Sequence, residues 1–190
     1  MKHASIRENK EALVEALQLF ECCLDPDVQD FLNNKAIDFE KKGLATTYLL
    51  LSKDKFDEDI IDVEGYFSLT HKAVTLCEDV SKSLKKKIGR STNTQVSSFV
   101  LIGQLGKKII KKDENVLIAS ELSATELLND ALSIIQESSE FIVCRNIIIE
   151  CKPIDKVKQI YEDYGFTNLQ YDSKEKLHTL YLKLENSVVF

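Results

Sequence analysis

The sequence predicts an α/β fold in one domain, with a mixed central sheet and helices on both of its faces. Apolar residues recur at helical spacing in four segments, and the runs between them are rich in β-branched and aromatic residues. Runs of consecutive strands come first and strand–helix–strand units follow, a combination typical of a mixed sheet. The length of 190 residues suits a single domain. Within it we expect helices over residues 1–45 and the sheet over residues 46–190.

Two helices are predicted before the first strand. Residues 7–20 repeat apolar side chains on one helical face. Asp25 and Pro26 mark the start of the second helix, because aspartate is a good N-cap and proline suits the first helical position. Gly43 is placed to end it. The apolar stripe of this second helix comprises Val28, Phe31, Leu32, Ala36 and Phe39.

Three strands are predicted in the middle of the chain. Residues 46–53 and 60–76 are rich in β-branched and aromatic side chains, and a charged turn separates them. The second run is too long for one flat strand, so we expect a bulge or bend at Gly65. A polar basic segment, 78–93, precedes the next predicted strand, 96–105.

The last third of the chain is predicted to alternate helices and strands. Helices are expected at residues 123–138 and 154–164, and strands at residues 146–151, 168–172 and 177–184. A strand–helix–strand crossover is right-handed in nearly all proteins. Such a crossover through the first of these helices makes the strands on either side of it parallel.

The composition excludes several classes of protein. Lys and Arg number 25 against 31 Asp and Glu, a net charge of −6 that argues against general nucleic-acid binding. No apolar run approaches the ~20 residues of a membrane span, and the polar N-terminus does not predict a secretory signal. The five cysteines match no zinc-binding spacing, so we expect a reduced cytoplasmic protein without a metal site.

Three stretches of the sequence resemble one known family. Tyr161, Gly165 and Phe166 have the spacing Tyr-x-x-x-Gly-Phe, and residues 127–132 read Leu-Leu-Asn-Asp-Ala-Leu. Both stretches resemble signatures of the GNAT family of acetyl-CoA-dependent N-acetyltransferases. The stretch from residue 20 to residue 48 resembles the N-terminal half of GNAT proteins of the toxin–antitoxin type.

The resemblance implies a GNAT-type mixed sheet in which the strands 96–105 and 146–151 splay apart to admit the pantetheine arm of acetyl-CoA. It places the pyrophosphate at the N-terminus of the helix 123–138, where free N–H groups and the helix dipole attract anions. Residues 46–190 are then the sheet and cofactor half. The residues expected to contact acetyl-CoA are Leu105, Gly106, Lys107, Ala119, Ser120, Ser123 and Ala124.

The cofactor loop departs from the family pattern Arg/Gln-x-x-Gly-x-Gly/Ala, because residues 115–124 contain no glycine. Ser123 and Glu126 instead have the spacing of a capping box, in which the two residues hydrogen-bond to each other's backbone N–H groups. A carboxylate is therefore expected near the pyrophosphate position. A multiply charged phosphate could displace it, since such a cap is worth only about 1 kcal/mol.

The resemblance makes Tyr161 the general acid that protonates the leaving thiolate of coenzyme A; a core aromatic residue is the alternative interpretation. A phenol with a pKa of about 10 matches a thiol of about 8.5 better than a carboxylic acid does. As the base that deprotonates the amine we favour Glu64, with Asp62 and His71 as further candidates. For each of the three, a position on a solvated face is the alternative. Glu150 ranks lower and either faces the cleft or is paired.

Two lysine-rich runs could meet phosphate groups. The first, Lys107, Lys108, Lys111 and Lys112, lies beside the expected pyrophosphate loop. The second, from Lys82 to Arg90, could contact an acidic substrate or RNA. A solvated loop is the alternative for both runs.

The implied activity is acetyl transfer from acetyl-CoA to a primary amine by direct attack, the acceptor being a small molecule, a peptide or an aminoacyl group. One alternative is a toxin-type relative that acetylates aminoacyl-tRNA, the one nucleic acid expected as a partner. Another is a non-catalytic binding module with a degenerate cofactor loop. The terminal strands offer an edge for a homodimer, and no membrane partner is expected.

Overall fold

The computed structural model describes residues 3–5, 10–57, 60–113, 116–141 and 145–184. Its strands are β1 (His3–Ser5), β2 (Thr46–Leu51), β3 (Val63–Thr75), β4 (Val96–Lys107), β5 (Ile109–Asp113), β6 (Val116–Ala119), β7 (Asn146–Cys151), β8 (Thr167–Asp172) and β9 (Leu177–Lys183). Its α-helices are α1 (Lys10–Gln18), α2 (Pro26–Asp30), α3 (Ala36–Lys41), α4 (Lys53–Asp57), α5 (Lys82–Gly89), α6 (Ala124–Ser138) and α7 (Asp155–Asp163).

The sheet is mixed, as predicted, and helices flank it. Seven strands pair in the order β1-β2-β3-β4-β7-β9-β8, while β5 and β6 form a separate two-stranded sheet. β4 and β7 are parallel, with Val100 opposite Ile147 and Ile102 opposite Ile149. The pairs β1–β2, β2–β3, β7–β9 and β8–β9 are antiparallel. The predicted parallel pairing of the strands 96–105 and 146–151, which are β4 and β7, is therefore confirmed.

The chain divides into two compact units. The first comprises Met1–Thr70 and Gly103–Ala131, and the second comprises His71–Ile102 and Leu132–Phe190. The described residues of both units include no helix that is long and apolar enough to cross a bilayer.

The two predicted N-terminal helices are present. The first is α1, and residues 7–9 of its predicted span lie outside the described part of the chain. The second consists of α2, a π-helical turn (Phe31–Lys35) and α3. The side chain of Asp25 caps its start, and Gly43 follows its end with a φ of +66°. The N–H of Leu44 donates to the carbonyl oxygen of Phe39 at 2.9 Å, which closes the helix as a Schellman motif does.

Tyr66 on β3 lies at the centre of the first unit. Its ring lies edge-on to Phe20, with centroids 5.5 Å apart, and stacks on Phe31 at 6.2 Å. Its hydroxyl donates to the carbonyl oxygen of Val28 at 2.6 Å, so the buried polar atom has a partner on α2. Burial raises the pKa of Tyr66 above its ordinary value, which keeps this phenol neutral.

β3 is one strand of 13 residues, shorter than the predicted run 60–76. It is not a flat strand, because the predicted bulge is present. Leu50 pairs with Gly65 and Leu51 pairs with Val63, which leaves Glu64 as the extra residue of the bulge. A bulge re-aims the side chain at the point where the ladder is interrupted.

The core of the second unit packs α5 against the sheet. Phe99 on β4 lies edge-on to Tyr181 on β9, with centroids 6.2 Å apart, and Leu84 and Ile88 of α5 join the same cluster. The Tyr181 hydroxyl donates to the Asn146 side chain at 3.0 Å, and burial raises the pKa of Tyr181 to about 12. α5 itself was not predicted, because eight residues inside the basic segment 78–93 show too little periodicity.

The connection between β4 and α6 differs from the prediction of a plain loop. β4 continues two residues further than expected, to Lys107, and β5 and β6 then form a hairpin before α6 begins. Three consecutive apolar residues of β6, Val116, Leu117 and Ile118, are about half exposed. The prediction that Ala119 lies shortly before α6 is therefore correct, but Ala119 is the last residue of β6 and not part of a loop.

Candidate active site

The end of β4 holds the segment that precedes α6. Leu105, Gly106 and Lys107 are the last three residues of the strand. The Lys107 ammonium donates to the carbonyl oxygens of Ser120 at 3.3 Å and Leu122 at 3.0 Å. Because an ammonium group carries three protons, two of its donors fix the backbone of this segment and one remains for another acceptor.

A buried leucine fixes the same segment from the other side. Leu122 is 4% exposed and precedes the N-cap of α6, while Leu127 lies in its second turn. A Cβ placed on Gly65 would lie 2.5 Å from Leu122 and 3.3 Å from Leu127, so both leucines pack directly on the backbone of β3. This pair is a hydrophobic staple. The segment thus keeps a fixed path without glycine, and Leu122 is a residue that the sequence interpretation missed although the staple spacing was present.

The predicted capping box at the N-terminus of α6 is confirmed. The Glu126 carboxylate accepts from the Ser123 N–H at 2.7 Å and from the Ser123 hydroxyl at 2.8 Å. The N–H of Glu126 donates to the Ser123 oxygen at 3.1 Å. The hydrogen bonds from the Ser123 N–H and then from its hydroxyl, with the nearby Lys107 charge, lower the pKa of Glu126. The carboxylate is therefore ionised at neutral pH, and this helix end already binds an anion.

Glu64 lies half-buried on the bulge of β3, beside the end of β4. Its Oε1 is 3.9 Å from the Lys108 ammonium, and its carbonyl oxygen accepts from the Lys108 N–H at 2.8 Å. A Cβ on Gly65, the next residue, would lie 3.1 Å from the carbonyl oxygen of Gly106. The bulge therefore brings the Glu64 position close to the segment predicted to hold the cofactor.

Asp62 is held in an ionic network and is a poor candidate base. Its carboxylate accepts from the ammonium groups of Lys55 and Lys108, each at 2.5 Å, and its side chain is 16% exposed. Burial alone would raise its pKa, but the two lysine hydrogen bonds outweigh burial and lower it. A carboxylate so stabilised has little tendency to accept a proton near neutral pH.

We expect Asp62→Asn to destabilise the protein by about 1–3 kcal/mol at neutral pH, because two ammonium groups lose the negative charge that they share and one of them loses its acceptor oxygen. The stability that Asp62 contributes is fully present above the ordinary carboxyl pKa of about 4 and is lost as the pH falls through the lowered pKa of the folded state. Urea unfolding from pH 7 to pH 2 should therefore show the difference between wild type and variant shrinking in acid. A difference that does not change with pH would contradict this role.

Tyr161 lies half-buried on α7 in the second unit. Its ring is edge-on to that of Phe166, with centroids 6.1 Å apart, and its carbonyl oxygen accepts from the Phe166 N–H at 3.0 Å. Gly165, with a φ of +107°, makes the turn that brings Phe166 back beside α7. Tyr161 is not one of the buried residues of the described core, which weakens its interpretation as a core aromatic. Burial raises the pKa of its neighbour Tyr164.

The remaining candidates have other surroundings. His71 is exposed on β3. Glu150 accepts from the Lys72 ammonium with both carboxylate oxygens at 2.7 Å, so of its two predicted states the paired one is observed. Burial raises the pKa of the thiols of Cys22 and Cys151, and Cys144 lies outside the described residues. Among the described residues no group of three or more His, Cys, Asp and Glu could hold a metal ion.

The structure thus brings most of the predicted cofactor residues together within the first unit. The end of β4, Ser120, Ser123 and Ala124 are linked through Lys107 and the capping box, and Glu64 lies beside them on β3. Tyr161 belongs to the second unit.

Comparison with known proteins shows what class of fold this is. No protein-family model and no curated protein sequence matches the chain. A solved structure of AtaT complexed with acetyl-methionyl-tRNAfMet superposes with a TM-score of 0.70 at 17% identity, covering 96% of this chain and 94% of that one. A tyrosine-to-phenylalanine variant of KacT superposes with a TM-score of 0.68 at 18% identity, covering 96% and 94%. AtaTR bound with AcCoA gives 0.62 at 15% identity, covering 96% and 92%.

The chain therefore has the GNAT fold. One of these neighbours, AtaT, is a toxin whose variant has also been solved bound to the C-terminus of the antitoxin AtaR. The predicted GNAT-type fold is therefore confirmed.

Proposed function

We propose that the protein is an acetyl-CoA-dependent N-acetyltransferase that acetylates a primary amine by direct attack. The observation that carries the proposal is the fixed segment before α6. There the Ser123 N–H and hydroxyl bind the Glu126 carboxylate, and the nearby Lys107 ammonium binds the carbonyl oxygens of the segment. Support also comes from the neighbouring fold, since AtaTR has been crystallised with AcCoA.

The residues at the N-terminus of α6 fit an anionic group. The Glu126 carboxylate occupies that position now and stands in for a phosphate, since it takes the N–H of Ser123 at 2.7 Å. When the carboxylate swings away, the Ser123 N–H and hydroxyl become available beside the Ala124 N–H and the third proton of Lys107. Leu105, Gly106, Ala119 and Ser120 supply the surrounding backbone. Acetyl-CoA, when bound, supplies an activated thioester.

Two side chains of this chain perform the proton transfers in the proposal. Glu64 accepts the proton of the attacking amine, and the bulge gives its carboxylate a direction different from that of the flanking strand residues. The Tyr161 hydroxyl donates a proton to the departing thiolate. Both transfers let a neutral amine attack and a neutral thiol leave.

For the acceptor we propose the α-amine of an aminoacyl-tRNA. The supporting observation is the likeness to AtaT in its complex with acetyl-methionyl-tRNAfMet, at a TM-score of 0.70 over 96% of this chain. A protein partner that restrains the enzyme is part of the same proposal, since AtaT is also known bound to the C-terminus of the antitoxin AtaR.

Calorimetric titration of acetyl-CoA into the purified protein, with desulfo-coenzyme A for comparison, tests the proposal. We expect micromolar binding of acetyl-CoA, followed by transfer of labelled acetyl groups to aminoacyl-tRNA and not to uncharged tRNA. Absence of binding at millimolar ligand would overturn the enzyme proposal and favour a binding module. Binding with transfer only to free amines would overturn the choice of acceptor.

Glu126→Gln is expected to strengthen acetyl-CoA binding about two- to fivefold, because it removes a negative charge from a helix end that must receive phosphate. Calorimetry at low ionic strength measures the change. Glu137→Gln, an exposed glutamate in the last turn of the same helix, is the matched control and should bind as wild type does. Equal affinities for wild type and Glu126→Gln would contradict the assignment of the phosphate position.

A further inference from the structure

The basic residues of this acidic protein are concentrated in one part of the chain. The 33 residues from Val80 to Lys112 contain nine of the 25 Lys and Arg residues and none of the 31 Asp and Glu residues. Five of the nine lie on α5 or directly after it: Lys82, Lys85, Lys86, Lys87 and Arg90. Within this window no carboxylate balances the positive charge of α5.

The basic face of α5 is formed by Lys82 and Lys86, one helical turn apart, and by Arg90 at the C-terminal cap. Successive residues of this spacing lie roughly 6 Å apart along a helix axis. All three are exposed, and in the part of the chain that the structure describes no carboxylate forms an ion pair with them. Glu78 and Asp79, just before α5, are exposed carboxylates of the same segment. Within the described residues, three exposed cations of one segment thus have no ion-pair partner.

Three surface lysines elsewhere in the chain are paired with carboxylates of their own helices. Lys35 pairs with Asp30, Lys42 pairs with Asp38 at 2.8 Å, and Lys158 pairs with Glu162 at 3.4 Å. Among the described residues no such pairing is observed for the basic face of α5. This acidic protein therefore presents unpaired positive charge there.

α5 is anchored firmly enough to hold these charges in place. Its inner side places Ile88 in the core, with Leu84 packed against it. At its C-terminal end the carbonyl oxygen of Ile88 accepts from the Asn146 side chain at 3.2 Å, and that of Lys87 accepts from the Lys183 ammonium at 2.9 Å. Lys183 adds a further cation at this end. A ligand of the basic face therefore meets preset charges, which lowers the entropy lost on binding.

The chemistry of the basic face selects among negatively charged partners. The exposed residues of α5 are lysines, Ser83 and Gly89, and the exposed polar residues 91–93 follow it. Protein interfaces are depleted in lysine and enriched in aromatic residues, and membrane-surface helices expose an apolar face. The apolar side of α5 is turned into the core instead. Lysines with neighbouring hydroxyl and amide groups are the usual contacts of a nucleic-acid backbone.

We propose that the basic face of α5, together with Lys183, binds the phosphate backbone of the RNA part of the acceptor. The choice of RNA rests on the proposed function, in which the acceptor is an aminoacyl-tRNA. The contacts are ionic and reach no base edge, so binding depends little on sequence and falls steeply with salt. This assigns RNA docking to an element that has no part in the proposed proton transfers.

Fluorescence anisotropy with labelled uncharged tRNA, in the absence of acetyl-CoA, tests the assignment. The double variant Lys82→Gln/Lys86→Gln should bind about fivefold or more weakly, and the slope of log affinity against log salt should fall by about two. The control Lys35→Gln/Lys42→Gln changes the net charge equally but removes lysines that are already paired. Equal losses in the two double variants would overturn the proposal.

A second measurement does not depend on variants. Amine-reactive labelling of the wild-type protein, read by mass spectrometry, should show tRNA protecting Lys82 and Lys86 but not Lys42. Polyglutamate and phosphatidylserine vesicles should not protect them, and protection by either would overturn the choice of RNA. Because the RNA-binding assays contain no acetyl-CoA, they test this proposal separately from the proposed enzyme activity. If tRNA protects these lysines but acetyl-CoA does not bind, only the enzyme proposal is overturned. If acetyl-CoA binds but tRNA does not protect the lysines, only the RNA-binding proposal is overturned.

Discussion

Tyr161→Phe is expected to lower the rate of acetyl transfer by about 10²- to 10⁴-fold, the usual contribution of general acid catalysis. The substitution removes one hydroxyl and keeps the ring that lies edge-on to Phe166 at 6.1 Å. The free energy of unfolding and the affinity for acetyl-CoA should therefore be unchanged, while the turnover number falls. Steady-state assays, combined with calorimetry and thermal unfolding of the same preparation, measure all three quantities.

Tyr164→Phe is the matched control, because it removes the same group from the end of the same helix. It should retain wild-type turnover. If Tyr161→Phe turned over as fast as wild type, the proton for the thiolate would come from water or from another residue. If both variants lost activity together with stability, α7 would have a structural and not a catalytic role.

Gly106→Ala is expected to destabilise the protein by about 1–3 kcal/mol, the usual cost of overpacking a closely packed site. A Cβ at this position would collide with Cγ1 of Val28, and the ring of Tyr66 lies 3.3 Å away on another side. Both neighbours belong to the first unit, and Tyr66 is held in place by its hydrogen bond to Val28. Urea unfolding monitored by circular dichroism measures the change.

Val28→Ala in the same chain should restore much of that loss, because it removes the methyl group with which the new Cβ collides. Each single variant should be less stable than wild type, and the double variant should be more stable than the sum of the two losses predicts. The double-mutant cycle isolates this coupling. Additive losses would show that Gly106→Ala acts through its backbone and not through contact with Val28.

The local features of the fold could be predicted because each depends on residues close together in sequence. The capping box needs only Ser123 and Glu126, and the end of the second helix needs only Gly43 and its neighbours. The parallel pairing of β4 and β7 followed from the rule for crossovers. α5 and the β5–β6 hairpin were missed, because both are short and their apolar residues form no long repeat.

The candidate site was predictable only in part. The segments proposed to hold the cofactor were chosen through the family resemblance and the capping box. The engagement of Lys107 with two carbonyl oxygens and of Asp62 with Lys108 depends on residues 13 to 46 positions apart, which no local pattern reveals. Because Asp62 forms ion pairs with Lys55 and Lys108, it is a structural carboxylate and a poor candidate for the base. The roles of Tyr161 and Glu64 stay predictions.

If acetyl-CoA binds at the start of α6 as proposed, the carboxylate of Glu126 acts there as a competitive inhibitor built into the protein. A tethered competitor cannot diffuse away, so the apparent dissociation constant for acetyl-CoA equals the intrinsic one divided by the fraction of molecules whose carboxylate has swung out. If that fraction is about one in ten, affinity falls about tenfold. Occupancy would then respond to acetyl-CoA over a higher concentration range than a glycine-rich loop would allow. The output of such an enzyme would follow the supply of acetyl groups in the cell and not the amount of enzyme alone.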